Sequence, residues 1–185
     1  MKTLKNAVMV FAVFTILLGV VYPMAVTAVA QLAFPHQANG DLITENGKVL
    51  GSELIGQNFT SPQYFHGRPS VIDYNSSTSS GSNLGPTNQK LIDEVSQRIQ
   101  EIKQDDGLNS SATIPSDIVL SSASGLEPYI SMDSAMIQVP RIARARGISE
   151  ADVIKIINEN EEHPIGSGTV IVNVLKLNLV LDSMK

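Results

Sequence analysis

The 185-residue chain contains no cysteine. Disulfide bonds, thiol nucleophiles and thiolate metal sites are therefore excluded. Basic side chains are also few: Lys2 and Lys5 stand before residue 35, and the chain beyond carries 11 Lys and Arg against all 18 Asp and Glu, a net charge of −7. Nucleic-acid binding needs clustered positive charge to displace phosphate counterions. A nucleic-acid partner is therefore not expected.

The segment from Ala7 to Phe34 lacks charged side chains altogether. Its 28 residues exceed the ~20 that a helix needs to cross the hydrocarbon layer. Lys2 and Lys5 precede it and the next basic residue is Lys48, so the positive-inside bias predicts a cytoplasmic N-terminus. We therefore expect a single-pass protein of the plasma or inner membrane, in contact with lipid, with a cytoplasmic N-terminus (1–6), a transmembrane helix (7–34) and an extracytoplasmic domain (35–185).

A cleaved secretory signal is the alternative interpretation of this segment. Ala28-Val29-Ala30 before Gln31 fits the small-residue cleavage pattern. Signal apolar regions run ~7–15 residues, whereas this one continues through Tyr22-Pro23 almost to the cleavage position, which favours a retained anchor. Pro23 removes a backbone donor and predicts a kink that neighbouring helices compensate.

Turn signals and periodicity divide the rest of the chain. Asn46-Gly47 between apolar runs predicts a β-hairpin, and apolar residues at helical spacing from Leu91 to Ile102 predict an amphipathic helix. Asp73 to Gly85 is rich in Ser, Asn and Gly, which predicts a mobile or partner-bound loop. Pro115 to Ser121 fits either a short strand or a helical turn.

The C-terminal third predicts two capped helices and a strand. Ser131 caps a helix that Gly147 ends, and Ser149 with Asp152 forms a capping box for the next helix. Thr169 to Asp182 is dense in Val, Ile and Leu and predicts one long central strand. The predicted fold class is α+β: one N-terminal transmembrane helix followed by a single extracytoplasmic α+β domain.

No residue pattern indicates catalysis. The three histidines, His36, His66 and His163, lack the spacing that places two metal ligands on one helical face. The serines at Ser121-Ser122-Ala123-Ser124-Gly125 fit neither a nucleophile elbow nor a Ser-x-x-Lys pair. We therefore predict a chain without an enzyme active site and without a metal site.

Seven short motifs follow one another along nearly the whole chain: Tyr22-Pro23, Gly56-Gln57-x-Phe59, Tyr64-Phe65-His66-Gly67-Arg68-Pro69-Ser70, Ser80-Gly81-Ser82-Asn83-Leu84-Gly85-Pro86, Ser122-Ala123-Ser124-Gly125-Leu126, Gln138-Val139-Pro140-Arg141-Ile142-Ala143 and Asn173-Val174-Leu175-x-Leu177-Asn178. Taken together and in this order, they closely resemble the C chain of the bacterial and archaeal potassium-transporting Kdp ATPase.

The resemblance implies an accessory, non-catalytic subunit of an ATP-driven high-affinity potassium uptake complex, needed for its assembly and stability. Its expected partners are a channel-like potassium-translocating subunit, a P-type ATPase subunit that holds the catalytic site, and a small single-helix subunit. The family is also described as a catalytic chaperone that raises the ATP affinity of the ATPase subunit. No cofactor is expected to be bound stably, and Gln138 is the position implied for any contact with ATP. The charge bias places Gln138 outside, whereas ATP is cytoplasmic.

A cap over the extracytoplasmic mouth of the channel-like subunit, without a nucleotide role, agrees better with this topology. The residues that we expect at subunit interfaces are Tyr22, Pro23, Phe59, Tyr64, Phe65, Arg68, Pro69, Ser82, Asn83, Leu84 and Arg141. Intramolecular turn structure is the alternative explanation for the loop positions, and an ordinary helix-dipole role is the alternative for Arg141.

Overall fold

The computed structural model describes residues 1–45 and 47–184. The chain divides into two compact units, Met1–Leu50 and the part from Gly51 onward. Asn46, half of the predicted hairpin turn, lies outside the described residues.

A continuous apolar helix of 32 residues, Lys2–Ala33, opens the first unit. It consists of α1 (Lys2–Ile16), a π-helical segment (Leu17–Val21) and α2 (Tyr22–Ala33). At ~1.5 Å per residue it is about 48 Å long, and it is long and apolar enough to cross a membrane. No side chain of α1, the π segment or α2 is buried by the described part of the chain.

The π segment ends at Val21, two residues before Pro23, which has no N–H to donate. Tyr22 N–H reaches back five residues to Leu17 O instead of the usual four. A local π adjustment of this kind is one way in which a membrane helix accommodates a proline.

A short hairpin follows the apolar helix. After α3 (Pro35–Ala38), β1 (Leu42–Glu45) and β2 (Lys48–Ser52) form a two-stranded sheet. Gly47 in the turn has φ +76°, a conformation that glycine adopts without a steric penalty. The predicted hairpin is confirmed at its described residues.

The second unit contains a three-stranded antiparallel sheet in the order β3-β5-β4. Its strands are β3 (Tyr129–Ser131), β4 (Glu161–Glu162) and β5 (Ile171–Asn173). Val172 of β5 lies opposite Ile130 of β3 and Glu161 of β4. The strand predicted at the sheet centre is central, but only three residues long.

The long strand predicted from Thr169 to Asp182 is therefore wrong beyond Asn173. The chain becomes helix α8 (Val174–Ser183), and Asn173 caps it by accepting a hydrogen bond from Lys176 N at 3.2 Å. The buried residues Val174, Leu177, Asn178 and Leu181 recur at three- and four-residue spacing, which is helical. The density of Val and Leu concealed that period.

The predicted amphipathic helix is confirmed as α4 (Gln89–Asp105), and Asn88 caps it.

The segment Pro115 to Ser121, which fitted either a short strand or a helical turn, contains a single 3₁₀ turn, Ser116–Ile118. Asp117 in this turn accepts hydrogen bonds from Ser131 N at 2.7 Å and from Ser134 Oγ at 2.6 Å. These bonds fix the turn to the start of the next helix.

The helix predicted after Ser131 is two helices, α5 (Met132–Met136) and α6 (Val139–Arg146). Pro140 lies in the first turn of α6, where a missing N–H is harmless. Gly147 ends α6 in the left-handed conformation. The predicted capping box is confirmed, because Ser149 Oγ accepts from Asp152 N at the start of α7 (Glu150–Glu159).

Helices α5 to α8, with the sheet, enclose the apolar core of the second unit. Its buried members include Ile130, Ala135, Val139, Ile142, Ala143, Val153, Ile156, Ile157, Val172, Val174, Leu177, Leu181 and Phe65. Phe65 is the one core residue in this set from the irregular segment between β2 and α4. The core therefore extends into a stretch that has no regular secondary structure.

Candidate functional site

Two buried amide side chains hold the backbone of Phe65 and His66. Asn178 of α8 accepts from Phe65 N–H at 2.8 Å and donates to Phe65 O at 3.0 Å. Gln138, just before α6, accepts from His66 N–H at 2.8 Å and donates to His66 O at 3.2 Å. Each amide imitates the paired bonds of an antiparallel strand. We call Gln138 and Asn178 the amide clamp.

Gln138, the predicted nucleotide-contact residue, is 2% exposed. Its Nε2 also donates to Ser134 O at 3.0 Å, and its Oε1 also accepts from Arg141 Nη2 at 2.7 Å. The amide thus makes four hydrogen bonds within its own chain, which are all that such a group ordinarily forms. Contact of Gln138 with ATP stays a prediction, and its observed contacts are those of a backbone clamp.

A buried ion pair lies beside the clamp. Arg141 Nε donates to Asp106 Oδ1 at 2.7 Å, and both side chains are under 10% exposed. Arg141 Nη1 donates to Pro62 O at 2.6 Å and to Tyr64 O at 2.9 Å. The arginine therefore joins α6, the end of α4 and the segment before Phe65. These contacts are internal, so the prediction that Arg141 pairs with a partner subunit stays a prediction.

Burial raises the pKa of Asp106, although the hydrogen bond and the charge of Arg141 oppose that shift. Burial, and then the charge of Arg141, lower the pKa of His66. His66 Nε2 donates to Ser61 O at 3.1 Å, since a carbonyl can only accept. The clamp region thus favours a neutral histidine.

Tyr64 forms a small cluster with the C-terminal helix. Its hydroxyl donates to Asp182 Oδ2 at 2.9 Å, and this bond raises the pKa of the phenol. The Arg146 guanidinium lies 5.1 Å from the Tyr64 ring centre and donates to Asp182 Oδ1 at 2.8 Å. The Phe59 ring lies 5.5 Å from the Tyr64 ring. Two predicted interface residues, Phe59 and Tyr64, are therefore adjacent, whereas Phe65 is fully buried.

A cleft of about 450 Å³ lies between α4 and the segment from Asn58 to Tyr74. The residues lining it are Asn58, Phe59, Thr60, His66, Gly67, Arg68, Pro69, Ser70, Asp73, Tyr74, Arg98, Glu101, Ile102, Asp105, Asp106, Ile118 and Gln138. Three predicted interface residues, Phe59, Arg68 and Pro69, therefore share one cavity.

The segment Ser80–Pro86 lies elsewhere, against residues 122–125. Ser80 N–H donates to Ser124 O at 3.0 Å, and a Cβ added to Gly81 would lie 3.1 Å from Ala123 O. Asn83 has φ +53° and donates from Nδ2 to Gly81 O, and Ser82 Oγ accepts from Leu84 N at 3.4 Å. Ser82, Asn83 and Leu84 are thus part of a turn that packs on its own chain.

Tyr22 and Pro23 lie on the apolar helix, where Tyr22 is exposed.

Among residues 1–45 and 47–184, no group of three or more His, Asp or Glu side chains is arranged to hold a metal ion.

Comparison with known proteins identifies the family. A family model described as "KdpC: K+-transporting ATPase, c chain" matches residues 4–183. The chain belongs to the KdpC family. Relatives named "Potassium-transporting ATPase KdpC subunit" include one from Polaromonas naphthalenivorans (strain CJ2), 49% identical over 98% of this chain and 95% of its own. Another, from Dechloromonas aromatica (strain RCB), is 48% identical over 100% of this chain and 99% of its own. A third, from Rhodopseudomonas palustris (strain BisB18), is 43% identical over the whole of both chains.

Sequence reasoning missed the roles of two residues that build the site of this KdpC chain, Asn178 and Asp106. Asn178 reads in the sequence as a polar interruption of an apolar strand, and Asp106 as part of a helix end. The available signal was the position of Asn178, four residues after Val174 and three before Leu181. In a helix, this spacing places Asn178 on the same buried face as those two apolar residues. Asp106 offered no such signal, since its partner Arg141 is 35 residues away.

Proposed function

We propose that the chain is a non-catalytic accessory subunit of an ATP-driven potassium uptake complex and contributes to its assembly and stability. Family membership supports this role, since the relatives carry the name of a potassium-transporting ATPase subunit. The partners would be a channel-like subunit, a P-type ATPase subunit with the catalytic site, and a small single-helix subunit. The helix Lys2–Ala33 would keep the chain in the cell membrane.

The second unit would lie outside the cell, over the mouth of the channel-like subunit. Lys2 and Lys5 at the helix start favour a cytoplasmic N-terminus, and the acidic remainder raises the local cation concentration within a Debye length of ~8–10 Å. The structural observation that carries the proposal is the clamped segment Phe59–Pro69. Gln138, Arg141 and Asn178 form hydrogen bonds with the backbone of its residues 62 and 64–66, and an ordered backbone reduces the entropy lost on binding a partner.

A direct contact with ATP is not supported by the site. The amide of Gln138 is already satisfied within the chain, so binding a nucleotide there would break clamp bonds. An effect on the ATPase subunit would then have to pass through the interface between subunits.

Co-purification tests the assembly role. The tagged full-length chain, extracted from membranes in mild detergent, should bring down the channel-like and ATPase subunits. A variant in which an unrelated apolar helix of equal length replaces residues 7–34 tests whether the helix is only a tether. We expect this variant to reach the membrane but to recover less of the complex, because the π segment and Pro23 would be lost. Recovery of the full-length chain alone, from cells whose complex is assembled and active, would overturn the proposal.

Mass spectrometry of the mature N-terminus separates this proposal from the secreted alternative. An anchored subunit retains Met1 through Phe34. A mature chain that begins at Gln31 would have lost its anchor and would instead be a released binding module.

A further inference from the structure

The π-helical segment before Pro23 leaves one backbone carbonyl of the apolar helix without a donor. In an α-helix, Leu18 O would accept from Tyr22 N–H, but that N–H donates to Leu17 O. The next N–H along the chain would belong to residue 23, and proline has none. Within the described helix Lys2–Ala33, Leu18 O therefore lacks the backbone donor that an α-helix or a π-helix would supply.

No side chain of the same helix replaces that donor. Serine and threonine hydroxyls can bond the backbone carbonyl three or four residues before them in a helix. The residues three and four after Leu18 are Val21, whose side chain has no polar atom, and Tyr22, whose hydroxyl is at the far end of an aromatic ring. Val21 N–H belongs to the π-helical segment, in which each N–H reaches five residues back. A donor for Leu18 O must therefore come from outside the helix.

Leu18 lies near the middle of the apolar segment. It is 11 residues beyond Ala7, the first residue of the uncharged stretch, which is ~16 Å along a helix, and the hydrocarbon layer of a membrane is ~30 Å thick. Lipid tails have no hydrogen-bond donor, and water does not satisfy backbone groups at this depth. An unpaired carbonyl in hydrocarbon is costly. The donor that fits this depth is therefore a protein group.

The helix surface beside Leu18 O is open to a neighbouring helix. Gly19 follows directly, and a Cβ built on Gly19 would lie in open space. The side chains of Leu18 and Tyr22 are 57% and 62% exposed. Small residues let the backbones of membrane helices approach closely, and polar side chains hydrogen-bond across such contacts. A side chain of a second helix can therefore reach the carbonyl.

A neutral polar side chain is the donor that suits this position. Charged side chains are costly at the bilayer centre, whereas Ser, Thr, Asn and Gln occur at contacts between membrane helices. We propose that Leu18 O accepts a hydrogen bond from such a side chain on a transmembrane helix of a partner subunit, beside Gly19. This inference rests on the proposed role as a pump subunit and adds the atom and the chemistry of the contact within the membrane.

Pro23→Ala tests the contact through the affinity of the purified full-length chain in detergent for a complex of the other pump subunits. The alanine supplies an N–H five residues after Leu18. Whether the segment stays π-helical or returns to an α-helix, Leu18 O then gains a donor within its own helix. Alanine is the best helix former, so the variant keeps the helix. Hydrogen bonds between membrane helices are worth about threefold to thirtyfold in affinity, and we expect a loss in this range.

Pro35→Ala is the matched control for this variant. Pro35 is exposed and begins α3, beyond the uncharged segment, so the same substitution there leaves Leu18 O unchanged. Its affinity should stay within about twofold of wild type.

Carbonyl chemical shifts distinguish a new hydrogen bond from a change in helix shape. The full-length chain is labelled with ¹³C at the leucine carbonyls and ¹⁵N in glycine, which selects the pairs Leu18-Gly19, Leu50-Gly51 and Leu84-Gly85. Leu18→Ile removes one of these signals and so assigns it. In lipid, the Leu18 signal should move downfield when the labelled chain is assembled with the other subunits, because hydrogen bonding shifts a carbonyl ¹³C resonance in that direction.

Three outcomes are informative. A Leu18 signal at the same position in the chain alone and in the complex would overturn the inference, since any donor would then belong to this chain or to a second copy of it. A Pro23→Ala chain that binds within about twofold of wild type would also overturn it. A wild-type chain that does not bind the other subunits would instead contradict the proposed function.

Discussion

Gln138 and Asn178 show how single side chains shape a segment that has no secondary structure of its own. Phe65 and His66 are consecutive, and each has both of its backbone polar groups paired by one of these amides. Gln138 directly precedes α6 and Asn178 lies in α8, so the segment between β2 and α4 is bonded at two places to the helical part of the second unit. Arg141 extends the same fixation to the carbonyls of Pro62 and Tyr64.

Gln138→Leu should lower the free energy of unfolding by about 2–6 kcal/mol, since it leaves His66 N–H and His66 O unpaired and each such buried group costs roughly 1–3 kcal/mol. Gln104→Leu is the control, because Gln104 is an exposed residue of α4. Urea unfolding of the full-length chain in detergent, followed by far-ultraviolet circular dichroism, measures the difference. Equal stabilities of the two variants would contradict the clamp.

His66 should make stability depend on pH below neutrality. In the folded chain the pKa of His66 lies below the usual value of ~6.5. As the pH falls below about 6.5, the unfolded chain therefore takes up a proton at this site before the folded chain does. The free energy of unfolding therefore falls as the pH drops from about 6.5 towards the folded pKa, by ~1.4 kcal/mol for each unit between the two pKa values.

Unfolding curves at a series of pH values check this expectation. His66→Gln should flatten the fall below about pH 6.5. His163→Gln replaces a histidine whose side chain is 65% exposed and should retain the fall. A His66→Gln chain with the slope of wild type would show that other groups cause it.

At the scale of elements, the start of α8 depends on one residue with two roles. Asn173 ends β5, accepts from Lys176 N as the helix cap and donates from Nδ2 to Glu53 O at 2.8 Å. Lys176 also forms ion pairs with Glu53 at 2.7 Å and Glu162 at 3.1 Å. The strand-to-helix transition is therefore bonded to the segment that follows β2.

Substitutions at Asn173 should separate its roles. Asn173→Ser keeps a capping oxygen but loses the bond to Glu53 O, whereas Asn173→Ala loses both. We expect stability to decrease in the order wild type, Ser, Ala, with about 1 kcal/mol between Ser and Ala. Asn88→Ala, which removes the cap of α4, should cost less than Asn173→Ala. The same urea titration measures all three variants, and equal values for Ser and Ala would show that capping does not stabilise α8.

Local signals predicted the elements whose determinants are close in the sequence. The cap at Ser149, the glycine end at Gly147 and the period of α4 are each set within a few residues, and each is confirmed. The chain from Val174 onward was mistaken for strand because β-branched and leucine residues obscure the helical period. That ambiguity is resolved only by packing against the rest of the core.

The site was less predictable than the elements for a related reason. The motif from Tyr64 to Ser70 was recognisable as a unit, but the bonds that hold it join residues far apart in the chain, such as Phe65 with Asn178. The cleft beside Arg68 likewise brings together residues as far apart in the chain as Asn58, Arg98 and Gln138. The spacing of residues in the sequence does not indicate which distant residues are in contact, because those contacts form only when the chain folds.

At the scale of the whole molecule, charge and polarity divide the chain. The helix Lys2–Ala33 has its two lysines at the start, and the net charge of −7 lies entirely beyond it. The second unit has an apolar core and an internal network of buried polar groups. This division is consistent with the proposal that a membrane anchor is followed by a domain on the outer side.

The side of the membrane on which the domain lies is the central claim, because a cap over the potassium pathway requires an outside position. The natural chain has no cysteine, so a single engineered one reports without background. Ser167→Cys is suited to labelling, since Ser167 is exposed, whereas Gln138 is buried. Thr3→Cys at the other end serves as the cytoplasmic control. In intact cells an impermeant maleimide should label Ser167→Cys and leave Thr3→Cys unlabelled; labelling of Ser167→Cys only after permeabilisation would contradict the account.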